Sequence, residues 1–364
     1  MEIEKTRQII KSCRYCLMCK HVCPSGSYSY FESDYPRGRA LIMDRVLEGK
    51  NDYTKDMIDA LYNCFLCDSC HASCEGDWEL PQAVRQARYD IVARDLEPQR
   101  AKEIKESLQN TGHPFVGETL DPVRISSQKE CDLLYVMGPY IRFKQHDIAK
   151  AAKSIIEASG DCFSVLEDEP DCGAVLDMLG YRKEAENKGR ALFNKIGHRK
   201  PKRILVSDPL LYYCISSLFK DWGLDTGKDM AIEHISGYVL RNLKAGRLDL
   251  KKFDERVTLV DSEYLCRFCD YCLEPREVLK EVCGNNFVEM RHRKKQMIAT
   301  GEAAFFFNGG KVEGSLLGKR IAQEAEAVRA GTAVTLSGTA KENLSSSFSG
   351  KVLEFGEFIR ELIQ

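Results

Sequence analysis

The 364-residue sequence has no apolar run that approaches the length needed to cross a bilayer, and it has almost no excess of charge of either sign. Its 53 Lys and Arg residues against 55 Asp and Glu residues give a net charge of −2. This balance argues against nucleic acid or an anionic membrane surface as the main partner. The first residues also lack the apolar segment of a secretory signal. We therefore expect a cytoplasmic protein without a transmembrane segment, for which a membrane-bound partner remains possible.

Cysteine, in contrast, is abundant. Sixteen cysteines in a cytoplasmic chain need an explanation other than structural disulfides, which are rare in a reducing compartment. Scattered buried thiols would account for isolated residues such as Cys131, Cys162 and Cys283, but not for eight cysteines packed into two runs. Metal binding is therefore the first hypothesis for the two runs.

The two runs share one spacing. They are Cys13-x2-Cys16-x2-Cys19-x3-Cys23-Pro24 and Cys64-x2-Cys67-x2-Cys70-x3-Cys74. In bacterial ferredoxins this spacing holds [4Fe–4S] clusters, and the fourth cysteine of a run ligates the other cluster. We therefore assign cluster 1 to Cys13, Cys16, Cys19 and Cys74, and cluster 2 to Cys64, Cys67, Cys70 and Cys23. Structural zinc, which usually combines cysteine pairs across a longer gap, is the weaker alternative.

Charged residues accompany the runs. His21 lies inside the first run, where four thiolates are already available, so we expect it to be exposed and to tune the cluster by hydrogen bonding. Arg37 and Arg39 open the helix between the runs. They are either part of a solvated turn or positive charges that raise the potential of the clusters, and the sequence does not choose between these two interpretations.

The sequence divides into a helical N-terminal part and two later units in which strands alternate with helices. Helices are predicted over residues 38–47, 56–62 and 81–93, and a polar, loop-like stretch follows over residues 96–130. Predicted strands at residues 132–137, 162–166, 203–207, 257–260, 287–290, 303–307 and 332–336 alternate with helices, which implies parallel sheets. The predicted fold class is α+β with several domains: a helical two-cluster, ferredoxin-like domain over residues 1–110, a linker over 111–130, and α/β units over 131–250 and 251–364.

At this point the chain resembles a family of iron–sulfur subunits. The family includes relatives of the D subunit of heterodisulfide reductase, the glycolate oxidase iron–sulfur subunit and the C subunit of anaerobic glycerol-3-phosphate dehydrogenase. The two cysteine runs, the segments Pro36-Arg37-Gly38-Arg39 and Gly112-His113-Pro114-Phe115, and the two α/β units carry the resemblance. It implies two cysteine-rich CCG domains, whose cysteines hold an unusual catalytic cluster or another cofactor in full members of the family.

In this chain most cysteines of the CCG pattern are replaced by other residues, so the resemblance implies two degenerate CCG-like units. Of the expected ligand cysteines only Cys172 remains, and direct disulfide reduction at such a centre is not expected. The replacements in the first unit are Gly138-Pro139, Asp171-Cys172-Gly173 and Asp208-Pro209-Leu210-Leu211. Those in the second unit are Glu263, Phe305-Phe306-Phe307-Asn308-Gly309-Gly310, Ser337 and Ala340.

A further motif, Cys266-x2-Cys269-x2-Cys272, follows Glu263. Its spacing suits three corners of a third [4Fe–4S] cluster, with zinc or no metal as the alternatives. Cys172 is the preferred fourth ligand and Cys214 the second option. Cys283 is the nearest fourth thiol in sequence, but a helix over residues 275–282 would carry it about 12 Å away.

We therefore expect an electron-transfer subunit of a multi-subunit oxidoreductase, which relays single electrons between a flavoprotein dehydrogenase partner and another redox carrier. The alternative is a catalytic reductase that uses the third cluster in the cleft between the two units, with an iron left open for substrate or held by Glu263. A third interpretation is a structural or regulatory protein that uses clusters for stability or sensing. The substrate, and whether the chain itself is an enzyme, do not follow from the sequence.

Overall fold

The computed structural model of the protein describes residues 1–128, 130–225, 230–302 and 314–364. The predicted strand over residues 303–307 and the segment that replaces Cys-Cys-Gly in the second unit lie outside the described residues. The fold is a mixture of helices and parallel sheets, as the sequence predicts. The predicted limits of the domains stay a prediction.

The first 110 residues are helical. The predicted helices over residues 38–47, 56–62 and 81–93 are confirmed, but the prediction of a loop-like stretch from residue 96 is wrong because a further helix covers Gln99–Asn110. That helix is polar except for Ala101, Ile104 and Leu108, which form one buried stripe. The helices are α1 Arg7–Lys11, α2 Pro24–Ser29, α3 Pro36–Leu47, α4 Lys55–Tyr62, α5 Ser69–Ala72, α6 Leu80–Val92 and α7 Gln99–Asn110.

A four-stranded parallel sheet forms the core of the next part of the chain, with the strand order β2-β1-β3-β4. The three predicted strands are confirmed, whereas β4, with its polar residues Glu233 and His234, has no apolar pattern to predict it. The strands are β1 Leu133–Val136, β2 Phe163–Val165, β3 Arg203–Val206 and β4 Ala231–His234. The helices are α8 Gly138–Phe143, α9 His146–Ala158, α10 Ala174–Leu179, α11 Arg182–Arg199, α12 Pro209–Tyr213, α13 Phe219–Asp221 and α14 Ile235–Lys244.

The described strands of the last part form a second parallel sheet in the order β5-β6-β7. The predicted strand over residues 287–290 is wrong, because this segment makes only an isolated bridge between Phe287 and Val257. The strands are β5 Val257–Val260, β6 Thr332–Thr335 and β7 Lys351–Glu354. The helices are α15 Glu274–Cys283, α16 Gly314–Ala327, α17 Gly338–Ser345 and α18 Phe355–Leu362.

The three parts of the chain pack directly on one another. The hydroxyl of Tyr62 in α4 donates to the carbonyl of Leu179 at 2.7 Å, and α9 of the first sheet packs against α18 of the second. Two π-helical turns, Cys214–Leu218 and Tyr264–Phe268, lie in the two α/β parts, and α12 packs against the second of them. Within the described residues, no helix is long and apolar enough to cross a membrane.

Candidate iron–sulfur site

The two cysteine runs share one feature of backbone conformation. Tyr15, the second residue after Cys13, has φ of 52°, and Leu66, the second residue after Cys64, has φ of 51°. This left-handed conformation is uncommon for residues with side chains. In the first run it directs the Tyr15 N–H toward Cys13 Sγ at 3.4 Å. A loop that turns backbone amides toward sulfur suits the hydrogen-bonding needs of an iron–sulfur cluster.

Cysteines from the two runs approach one another. Burial, with smaller contributions from Cys16 and Cys74, raises the pKa of Cys13. Burial also raises the pKa of Cys70, and nearby Cys64, Cys67 and Cys23 add to this effect. Cys74, the fourth cysteine of the second run, therefore lies near Cys13 of the first run, and Cys23, the fourth of the first run, lies near Cys70 of the second.

Cys19 lies close to thiols that we assign to both clusters, namely Cys13 and Cys16 for cluster 1 and Cys23 for cluster 2. Burial, followed by the neighbouring Cys13, Cys23 and Cys16 thiols, raises its pKa to about 12. Thiols with raised pKa values are protonated at neutral pH unless a metal binds them as thiolates. Within the described ranges, no three His, Cys, Asp or Glu side chains are arranged to hold a single metal ion. The assignment of the eight cysteines to two clusters stays a prediction.

Two buried arginines lie beside cysteines that we assign to cluster 2. Arg39 Nη1 is 3.8 Å from Cys23 Sγ, and the guanidinium also donates to the Ala60 carbonyl at 2.8 Å. Arg88 donates to the Cys64 carbonyl at 2.7 Å and, on its other side, to the Met178 carbonyl at 2.7 Å. Arg37 is instead on the surface, paired with Glu32. The local sequence gives no signal for Arg88, because its acceptors are on distant segments.

The pKa values of the two arginines are shifted in opposite directions. Burial lowers the pKa of Arg88 to about 10, so this side chain stays charged at neutral pH. Although burial opposes its charge, Arg39 has a raised pKa because Cys64, Cys23 and Asp34 lie nearby. The structure thus keeps two buried cations next to the thiols assigned to cluster 2, whereas Arg14 and Arg37 near the first run face solvent.

The three C-terminal motif cysteines do not all meet. Cys266 and Cys272 lie together: their mutual hydrogen bond is the largest cause both of the raised pKa of Cys266 and of the lowered pKa of Cys272. Cys269 faces the first α/β part, with its sulfur 3.8 Å from the Ser216 hydroxyl. Asp270, inside the motif, has the left-handed conformation with φ of 52°.

The cysteines considered as a fourth ligand are held elsewhere. Cys172 and Cys214 lie beside each other, with Cys214 Sγ donating to the Cys172 carbonyl at 3.3 Å. Cys283 ends α15 and is buried among apolar residues. Glu263 is buried and accepts from the Thr300 N–H at 2.7 Å and the Gly301 N–H at 3.1 Å. The structure thus shows Cys172 in contact with Cys214. Its role as the fourth ligand of a third cluster stays a prediction.

Carboxylates occupy the cleft where the resemblance places lost ligands. Glu169 accepts from the Gly138 N–H at 2.6 Å, Asp208 from the Leu210 N–H at 2.8 Å, and Glu302 from the Ser262 hydroxyl at 2.9 Å. Burial raises the pKa of Glu169 to about 7 and that of Asp208 to about 6. Asp208 and Glu302 line a cavity of only about 30 Å³ between the units, which leaves room for about one water molecule.

One pair of cysteines contradicts the sequence-based expectation of isolated buried thiols. Cys131 and Cys162 form a disulfide with a Cα–Cα distance of 5.7 Å, and Cys162 is exposed. Cys131 precedes β1 and Cys162 precedes β2. Because these strands are parallel neighbours, with Leu133 opposite Phe163, the residues before them meet. The sequence did not reveal this pair because it depends on which strands are neighbours.

Comparisons with known proteins connect this geometry to iron–sulfur proteins. The chain is 24% identical over 362 residues to an uncharacterized iron–sulfur protein of Methanococcus maripaludis, covering 95% of this chain and 69% of that protein. It is 24% identical over 254 residues to the D subunit of dihydromethanophenazine:CoB–CoM heterodisulfide reductase from Methanosarcina barkeri, covering 65% of this chain and 60% of the relative. The glycolate oxidase iron–sulfur subunit of Escherichia coli is 32% identical over 94 residues, which are 26% of this chain and 21% of the relative.

The relatives that the chain matches are iron–sulfur proteins, and the second and third of those named are subunits of oxidoreductases. The chain is related to the D subunit of heterodisulfide reductase and to the glycolate oxidase iron–sulfur subunit, which confirms the resemblance seen in the sequence. No family model matches the chain. A crystal structure of a hypothetical protein from Helicobacter pylori has the same overall fold, with a TM-score of 0.60 over 98% of this chain and 75% of that one at 10% identity.

Proposed function

We propose that this chain is an electron-transfer subunit of a multi-subunit oxidoreductase, which relays single electrons through two [4Fe–4S] clusters between a flavoprotein dehydrogenase and another redox carrier. The approach of Cys74 to Cys13, together with that of Cys23 to Cys70, is the observation that carries the proposal. Exchange of the fourth ligand keeps two clusters close together, and closely spaced clusters pass electrons with little rearrangement. The relatives named as subunits of oxidoreductases support the same role.

An exposed apolar face around the first run is where we propose that the flavoprotein docks. We call it the cluster 1 face, and Cys16 is exposed within it. Monomeric proteins rarely expose large contiguous apolar patches unless they bind a partner there. The face consists of Tyr15, Leu17, Met18, Tyr28, Tyr30, Phe31 and Leu41.

The charges beside the cluster 1 face favour a partner with an acidic surface. Lys20 and Arg37 share a single carboxylate, Glu32, and Arg14 is exposed nearby in the first run. The face therefore has an excess of positive charge although the chain as a whole has a net charge of −2. An acidic rim on the flavoprotein would steer the two proteins together and bring the electron donor close to the exposed edge of cluster 1.

A third [4Fe–4S] cluster at Cys266, Cys269 and Cys272 belongs to the same proposal. The spacing supports it, and so does the left-handed Asp270, which directly follows Cys269 as the left-handed Asp68 follows Cys67 in the second N-terminal run. Cys172 is kept as its fourth ligand. The catalytic alternative receives less support, because the cleft between the units is narrow and its carboxylates are already engaged by backbone amides and hydroxyls.

Anaerobic iron and sulfide quantitation, with a redox titration followed by EPR, tests the proposal. Two clusters give about eight irons per chain and a third gives about twelve, with each cluster reduced reversibly by one electron. If about eight irons are bound and Cys269→Ser leaves that number unchanged, the third cluster is excluded. If the third cluster is present and Cys172→Ser leaves its iron and EPR signal unchanged, Cys172 is not its ligand. A chain that binds zinc, or clusters that cannot be reduced reversibly, would refute the relay.

A further inference from the structure

The disulfide between Cys131 and Cys162 differs in kind from the other cysteines of the chain, all of which have free thiols. Both of its residues reach the surface, since Cys162 is exposed and Cys131 is half-buried. Exposed disulfides are more easily reduced than buried structural ones and are commonly regulatory or catalytic. The sequence leads us to expect a cytoplasmic chain, and in that compartment disulfides are usually transient or redox-sensing.

The first sheet holds the two cysteines together by means other than the bond between their sulfurs. Cys131 lies two residues before Leu133 and Cys162 lies directly before Phe163, and these two strand residues are partners in the β1–β2 ladder. On its other side β1 is paired with β3 along its whole length. The Cα–Cα distance of 5.7 Å is usual for a disulfide. Because strand pairing sets this distance, two reduced thiols would stay close enough to form the bond again.

Hydrogen-bond acceptors for two thiols are already in place around the pair. The side-chain oxygen of Gln128 is 3.2 Å from Cys162 Sγ and 3.8 Å from Cys131 Sγ. The Glu130 carbonyl oxygen is 3.8 Å from Cys162 Sγ. A disulfide has no hydrogen to donate to these oxygens, whereas each of two thiols would be a weak donor with an acceptor nearby. The surroundings therefore suit the reduced state as well as the oxidised state.

The disulfide also lies next to a weakly held part of the linker, residues 121–128, which we call the linker end. No side chain of the linker end is fully buried. Its backbone is attached to the first α/β part by the Val123 N–H, which donates to the Arg142 carbonyl at 2.7 Å, and by the Gln128 N–H, which donates to the Phe163 carbonyl at 3.1 Å. Segments with few buried contacts open easily, so the order of the linker end should depend on the neighbouring covalent bond.

We infer that Cys131 and Cys162 form a reversible thiol–disulfide site that reacts with a dithiol, and that its reduction lowers the local stability of the linker end. A thiolate of the dithiol attacks the exposed Cys162 Sγ, the Cys131–Cys162 bond breaks, and the Cys131 sulfur takes up a proton. The second thiol of the dithiol then breaks the mixed disulfide and leaves Cys162 as a thiol. Two electrons and two protons pass to the pair, and the dithiol becomes a disulfide.

The site lies at the opposite edge of the first sheet from the cleft between the α/β parts. Cys131 and Cys162 precede strands, whereas Gly138 and Asp208, which lie at the cleft, follow β1 and β3. In a parallel sheet all strands begin at one edge and end at the other. An external dithiol supplies the electrons, so the reaction needs no cluster and goes beyond the proposed function.

Thiol labelling of the anaerobic, cluster-loaded chain tests the exchange. Dithiothreitol and a reduced thioredoxin serve as a small dithiol and a protein dithiol, and the faster of the two identifies the source of the thiols. Alkylation followed by mass spectrometry of the peptides with Cys131 and Cys162 separates thiols from the disulfide. We expect the folded chain to lose the bond with a dithiol and to form it again with oxidised dithiothreitol.

Hydrogen exchange measures the linker end in the same samples. Reduction should speed exchange of residues 121–128 about tenfold and leave β1, which is paired on both sides, unchanged. Cys162→Ser, which cannot form the bond, should exchange fast with or without a dithiol. Cys283→Ala removes a buried thiol that is in no disulfide. It is the matched control and should respond to the dithiol as the wild type does.

The outcomes separate this inference from the proposed function. A bond that resists both dithiols until the chain is unfolded overturns the exchange site, and so do thiols that oxidised dithiothreitol cannot join. Equal hydrogen exchange of the linker end in the two states overturns its dependence on the bond. A chain that lacks redox-active clusters but opens and closes the bond refutes the proposed function and supports this inference.

Discussion

Replacing Arg39 with glutamine should lower the reduction potential of cluster 2 and leave that of cluster 1 almost unchanged. Arg39 is 1% exposed, and its Nη1 is 3.8 Å from Cys23 Sγ, a predicted ligand of cluster 2. Reduction adds one negative charge to the cluster, and a neighbouring cation stabilises that charge. Removing the cation therefore makes reduction harder.

The size of the shift follows from Coulomb's law. Two unit charges about 6 Å apart interact by about 3 kcal/mol at an effective dielectric constant of about 20. This energy corresponds to roughly 120 mV for a one-electron couple. Asp34, whose carboxylate is 3.7 Å from the Arg39 guanidinium, cancels part of the effect. We therefore expect Arg39→Gln to lower the potential by on the order of 50 mV or more.

EPR-monitored redox titration measures both clusters in one sample. Arg37→Gln, two residues earlier in α3, is the control: Arg37 is on the surface and paired with Glu32, so solvent screens its charge. Arg39→Lys keeps the charge while losing the fork of hydrogen bonds to Ala60 and Ser25, and it should keep most of the potential. Equal shifts in Arg37→Gln and Arg39→Gln, or a large shift in Arg39→Lys, would refute the electrostatic reasoning.

Three further predictions follow from the structure. Cys23→Ser should abolish the EPR signal of cluster 2 and leave about four irons in cluster 1, and Cys74→Ser should do the reverse; each variant losing the cluster of its own run would contradict the crossed assignment. Burial raises the pKa of Glu354 from 4.5 to about 8, so the folded state holds more protons than the unfolded state between these values, and stability should fall as pH rises through this window. Glu354→Gln should remove that part of the fall in Tm between pH 4.5 and about 8. Gly173→Ala should cost at least about 2 kcal/mol in urea unfolding, because φ is 88° and a Cβ would lie 2.3 Å from a carbonyl oxygen of α11. Gly160→Ala, with φ of 71° and open space around it, should cost about 1 kcal/mol, and equal losses would contradict the clash.

The sequence predicts those features that depend on neighbours along the chain. A ferredoxin-type run sets three thiols in one loop, so its spacing alone identifies Cys13, Cys16 and Cys19 as a group. Short apolar strands such as Leu133–Val136 are equally local, because a strand buried on both faces reads as a continuous apolar run. A polar strand is not predicted in this way: β4 ends in Glu233 and His234 and therefore lacks a continuous apolar run.

Features that join distant segments could not be read in this way. Arg88 contacts Cys64 and Met178, which are 24 and 90 residues away, and nothing near Arg88 in the sequence indicates either contact. A pocket of about 290 Å³ is more distributed still, since Leu66, Tyr213 and Phe268, which line it, meet only when three parts of the chain pack together. A local pattern predicts which cysteines would bind a cluster. The residues that would adjust its reduction potential or bind a redox partner beside it come together only through tertiary packing.

The cleft between the α/β parts argues for relay over catalysis. The N–H groups of Gly138 and Leu210, which lie in the segments that replace the lost ligand motifs, donate to Glu169 and Asp208 of the same chain. Since these amides are already satisfied and the cavity holds about one water molecule, the described part of the cleft leaves little room for a substrate. The larger pocket lies instead beside the second cysteine run, and the exposed apolar face lies beside the first. Under the proposed function, electron exchange would therefore take place next to the N-terminal cysteine runs, and the α/β parts would serve to build one wall of the pocket.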